Sequence, residues 1–141
     1  MRIIVGILCS SLWLIYAGQV ISVVNFRLAQ RLGLQEKQDN VDPLSSRLEL
    51  SAARWDLLWL WTLPSAGILM LIDHPWWPFA AMIGGACYVD TGGREAAKAL
   101  GLKQQGVRTG SPGEQRLVMA TFVFFVAIGG LAIVTGLVEA T

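Results

Sequence analysis

Apolar and charged positions fall in blocks along this chain and do not alternate residue by residue. Ile3 to Val24 runs for 22 residues without a charge, and Leu117 to Val138 does the same over another 22. At ~1.5 Å rise per residue either stretch reaches about 33 Å as a helix, enough to cross a bilayer's hydrocarbon. Two shorter runs lie between them. Leu57 to Ile72 has 16 residues and spans only if its helix begins near Ala52. Pro75 to Val89 has 15 and lengthens through the helix formers of Asp90 to Leu100, after the Gly92–Gly93 pair. The pattern predicts an all-α transmembrane four-helix bundle, a single membrane domain over 1–141. Its spans fall at about 3–24, 52–72, 75–92 and 117–138, and polar segments 25–51 and 93–116 connect them.

Two other readings account for less of the pattern. The short middle runs, joined by Asp73-His74-Pro75, suit a buried hairpin of a soluble protein, which leaves the flanking 22-residue runs unexplained. A cleaved signal peptide would have only Met1-Arg2 as its basic region, and Ile15-Tyr16-Ala17 poorly matches a small-x-small cleavage site. Leu8 before Cys9 likewise does not suit a lipoprotein anchor. The first segment is read as a retained span.

Composition sharpens this. Of the 141 residues 54% are apolar and only 15% charged, against about 25% charged in ordinary domains. Disorder is excluded by the low charge and high hydrophobicity. A net charge of +1 argues against a nucleic-acid partner.

The placement of charge sets an orientation. With four spans, the N-terminus, the Asp73–Trp76 turn and the C-terminus share one side, where Arg2 is the single basic residue. The other side holds Arg27, Arg31, Lys37, Arg47, Arg54, Arg94, Lys98, Lys103, Arg108 and Arg116. The positive-inside rule then puts both connecting segments in the cytoplasm and both termini outside. Trp76 and Trp77 fall at the outer interface and Trp55 at the inner one, as an aromatic belt requires.

The two cytoplasmic segments resemble each other. Leu32-Gly33-Leu34 answers Leu100-Gly101-Leu102 at an offset of 68, and Pro43 to Leu48 answers Pro112 to Leu117 at 69. A duplication would give two parallel helix-pair repeats, with Gly33 and Gly101 capping helical extensions of the odd spans. Coincidence explains the same short matches.

No catalytic signature is present, and no metal-ligand spacing. His74 beside Asp73 could titrate near neutrality, but a surface turn accounts for both. Cys9 and Cys87 fall at different depths of their spans, roughly 5–10 Å apart, which disfavours a disulfide. The inner span ends are richer. Arg54 and Asp56 open the second span, Asp90 and Arg94 close the third, and the last two, four apart, share a helical face. Charges at such depth usually face a bundle interior and pair there. Gln19 and Tyr88 lie close enough in register to join them. One reading is a pocket open to the cytoplasm that takes a headgroup or small polar ligand; the other is an ion-pair cluster pinning helices two and three.

Gly6 and Ser10, Ala81 and Gly85, and Ala132 and Gly136 are each four apart, which permits close helix approach. Pro64 bends the second span and frees a carbonyl that neighbours must satisfy. Trp13, Trp59 and Trp61 lie too deep for belt residues and are expected to pack beside that bend, with cavity lining as the alternative.

In size, in the Arg31-Leu32-Gly33 segment after the first span, in the charged start of the second span and in a glycine-rich third span ending Gly93-Arg94, the chain resembles the DoxX-like group of small four-span bacterial membrane proteins. The resemblance implies a bacterial inner membrane. Some members are linked to sulfur-compound oxidation and quinone reduction or to membrane redox complexes; no residue pattern specific to that activity is visible. The expected function is a non-enzymatic partner subunit or lipid-binding scaffold, without catalytic residues, metal or cofactor. Its partners would be the lipid bilayer and a membrane protein or a second copy. The alternative is a redox or carrier protein holding a quinone-like amphiphile near Gln19, Arg54, Asp56, Tyr88, Asp90 and Arg94.

Overall fold

A computed structural model describes residues 1–33 and 42–141, and its regular elements are all helices. In chain order they are α1 Arg2–Val24, α2 Phe26–Arg31, α3 Pro43–Asp56, α4 Thr62–Leu71, α5 Trp77–Gln104 and α6 Pro112–Ala140. Local chemistry sets their starts. The Asn25 side chain accepts the Leu28 N–H at the head of α2. Asp42 accepts from Leu44 ahead of Pro43, and the Ser111 hydroxyl from Glu114 ahead of Pro112; proline in the first turn loses no helical bond there. Among the described residues two helices, α1 and α6, are long and apolar enough to cross a membrane.

The middle of the chain departs from four uninterrupted spans. The stretch expected as one helix over 52–72 is two, α3 and a ten-residue α4, separated by an irregular turn at 57–61. The third apolar run belongs to a helix of 28 residues that continues through Gly92 and Gly93 to Gln104. Gly101 is therefore interior to α5. Gln105 caps it and Gly106 follows at φ 72°, with the Gly106 and Val107 amides bonded back to Lys103 and Leu102. Gly33, also at φ 72°, does close α2. The matching Leu-Gly motifs thus occupy unlike places, one at a helix end and one inside a helix. Leu34 and Lys37 lie outside the described residues.

Antiparallel contacts join α1 to α4, α4 to α5 and α5 to α6, while α1 and α6 barely touch. Small residues set the spacing. A Cβ on Gly67 would lie 2.5 Å from the Ser10 amide nitrogen, and one on Gly6 would lie 3.1 Å from Met70. Between α5 and α6, a Cβ on Gly85 would come 2.5 Å from the Gly129 oxygen, and one on Gly136 2.6 Å from the Pro78 oxygen. Ala81 and Ala132 are fully buried at this seam. Cys9, Leu12, Leu63, Met70, Tyr88, Phe125 and Ile128 fill the core. Trp77 belongs to that core as well, so of the expected pair only Trp76 faces outward. The outer faces are apolar: Ile4, Leu14, Ile83, Leu117, Val123 and Val138 are all largely exposed.

At one end of the stack Arg2 pairs with Asp73. At the other the Asp42 amide donates to the Arg108 carbonyl at 3.0 Å, tying the two connecting segments together.

Candidate functional site

The irregular turn at 57–61 and the charges beside it form the most polar part of the interior. Pro64 has no N–H to give the Leu60 carbonyl, four residues back. Tyr88 of α5 replaces it, its buried hydroxyl donating to that oxygen at 3.0 Å. On the other side of the turn, Tyr16 of α1 donates to the Leu57 carbonyl at 3.1 Å. The remaining carbonyls are met locally. Leu58 accepts from the Trp61 indole at 2.9 Å, Trp59 from the Thr62 hydroxyl at 2.6 Å and Trp61 from the Ser65 hydroxyl at 2.8 Å. Both tyrosines of the chain are thus committed to one helix break. No backbone acceptor from 57 to 61 is left to solvent, which is what hydrocarbon demands of interrupted backbone.

One turn further along, Asp56 ends α3 with its side chain 6% exposed, and Arg94 of α5 reaches it at 2.6 Å. The same guanidinium contacts Glu95 at 3.2 Å and Asp90 at 3.7 Å, and Glu95 in turn pairs with Lys98. Partial burial works against the Arg94 charge, but the Asp56 hydrogen bond and the surrounding carboxylates outweigh it and hold its pKa above the usual arginine value. Asp56 and Glu95 are buried, while Asp90 is three-quarters exposed. The two buried carboxylates are matched by Arg94 and Lys98, and the exposed Asp90 leaves the cluster with one formal negative charge. Of the five guanidinium N–H donors two are hydrogen-bonded, to Asp56 and Glu95, and Asp90 adds a longer ionic contact. Chemically the arrangement is a clasp between the end of α3 and the C-terminal half of α5.

Of the residues singled out in the sequence, Asp56, Asp90 and Arg94 come together. Tyr88 points instead at the helix break. Gln19 is half-buried on α1 and hydrogen-bonds none of them. Arg54 is exposed on the far face of α3, where it lines an open hollow of about 510 Å³ with Arg47, Leu50, Ser51, Trp55 and Leu58. Glu95 and Lys98 escaped notice, although Glu95 follows Tyr88 by seven and so shares its inward face. Trp13, Trp59 and Trp61 are each over a third exposed, and Trp13 packs edge-on against Tyr16 at 5.4 Å.

Asp73 and His74 do not pair. Asp73 is engaged by Arg2, and His74 Nδ1 accepts the Trp76 amide at 3.3 Å. Cys9 is buried, Cys87 half-buried, and both are free thiols. Among the described residues no group of His, Cys, Asp or Glu is placed to hold a metal. No family model matches the chain, and neither a curated protein nor a solved structure is detectably similar to it.

Proposed function

We propose that this chain is a four-span integral membrane protein that acts as a non-catalytic subunit or lipid-binding scaffold. Residues 25–51 and 93–116 would face the cytoplasm, and both termini the outside of a bacterial inner membrane, as in the DoxX-like layout. The observation that carries the reading is the helix break. Its carbonyls are all satisfied from within the protein, while large apolar side chains cover the outside of the helices at the same level. A water-soluble chain would bury most of those outer side chains. The α3–α4 pair and α5 supply the two inner crossings, lengthened past their apolar cores by charged ends that point the same way.

The scaffold reading rests on the state of the clasp. A redox or carrier protein needs polar groups free to meet a quinone-like amphiphile, and Arg94 is already shared among Asp56, Glu95 and Asp90. Two steps test the proposal. Alkaline carbonate washing should leave the chain in the membrane pellet. Purification in mild detergent should then recover a stable protein partner or a specific lipid. Release into the supernatant would reject the four spans, and a clean monomer free of both would reject the scaffold.

A further inference from the structure

The outward face of α3 combines charge with apolar surface in a way the clasp does not use. Arg47, Ser51, Arg54 and Leu58 fall on one side of the helix axis, with Leu50 and Trp55 beside them, and together they line the open hollow. Ser45 and Asp56, on the opposite side, are buried. The two arginines are seven apart, so their guanidinium stems rise from the same stripe about 10 Å apart along the helix. Both are exposed, and neither makes an ion pair or hydrogen bond within the described residues. Arg94 and Lys98, by contrast, are paired. Trp55 and Leu58 are each more than half exposed, and Trp59 and Trp61 continue the apolar surface toward α4.

We propose that this face is a binding site for the headgroup of an anionic phospholipid of the surrounding leaflet. This rests on the membrane reading above and adds a ligand to it. The phosphate would sit between Arg47 and Arg54 with the Ser51 hydroxyl as a further donor, and one acyl chain would run along Trp55 and Leu58. Two cations unpaired among the described residues select a negative headgroup over a zwitterionic one. The apolar half of the hollow selects a lipid over a free anion, because inorganic phosphate has nothing to cover Trp55.

The full chain is reconstituted into nanodiscs of equal parts phosphatidylglycerol and phosphatidylcholine, extracted gently, and its retained lipids are counted by native mass spectrometry. Phosphatidylglycerol should be enriched, with about fivefold lost for each arginine replaced in Arg47→Gln and Arg54→Gln. Charge-preserving Arg47→Lys/Arg54→Lys should keep most of the enrichment, and Arg116→Gln, a basic residue at the same end on α6, should keep all of it. Enrichment that survives the double glutamine variant, falls equally with Arg116→Gln, or is abolished by millimolar inorganic phosphate overturns the site. Carbonate release of the unmodified chain removes the membrane reading and the site together, whereas an embedded chain with no lipid preference removes the site alone.

Discussion

Tyr88 is fully buried, yet its hydroxyl is spent on a backbone oxygen that an ordinary helix would satisfy by itself. The cause is Pro64, and the two residues should be coupled. Tyr88→Phe strands the Leu60 carbonyl, at a cost of about 1–3 kcal/mol. In a Pro64→Ala background the new amide can bond that carbonyl, so the same change should cost much less. A double-mutant cycle on thermal unfolding in detergent reads the difference; equal costs in the two backgrounds would refute the coupling. The clasp makes a second claim at this scale. Arg94→Gln leaves Asp56 buried without its cation and should destabilise by roughly 2 kcal/mol. That is below the 3–5 kcal/mol of a fully enclosed pair, because the Arg94 side chain is 38% exposed. Asp90→Asn, at the exposed and longer contact, should change stability by less than about 0.5 kcal/mol.

Among the helices, the α5–α6 seam is the most extensive. Adding a methyl at Gly85 sets it against the Gly129 carbonyl, a backbone atom that cannot turn aside. Gly85→Ala should therefore cost about 3 kcal/mol or force the helices apart. Gly130→Ala meets nothing within 4 Å and should be neutral or stabilising by up to about 1 kcal/mol. Thermal midpoints of the two variants, compared side by side, decide it. Helical class was legible in the block pattern because two charge-free runs of 22 residues admit little else. The break after Asp56 was only half legible. Pro64 announces a bend, but Leu57 to Trp61 contains no residue that forbids a helix, and the Tyr16 and Tyr88 hydroxyls that satisfy the turn come from other elements. The clasp was legible in the same partial way. The Asp90–Arg94 spacing can be read along one helix, whereas the shorter Arg94–Asp56 contact depends on how α5 packs against the end of α3, which no local spacing encodes.

For the molecule as a whole, the decisive property is that both basic connecting segments meet at one end. The Asp42–Arg108 backbone bond holds them together there, and the Arg2–Asp73 pair closes the other end. Single cysteines introduced at Glu49 or Thr109, in a Cys9→Ser/Cys87→Ser background, should react with an impermeant maleimide only after the cells are opened. Cysteines at Trp76 or Thr141 should react in intact cells. Labelling of both sets from the same side of an intact membrane would contradict the four crossings.

The borrowed hydroxyl at the helix break also constrains how the chain is made. When the turn ahead of α4 leaves the ribosome, the donor for its Leu60 carbonyl is still inside the exit tunnel, because Tyr88 follows 28 positions later. In the proposed four-span arrangement, α4 entering lipid alone would carry a naked peptide oxygen at its head. The expected route through the translocon is therefore paired release, with α4 waiting at the lateral gate until α5 arrives and the two leave as one hairpin.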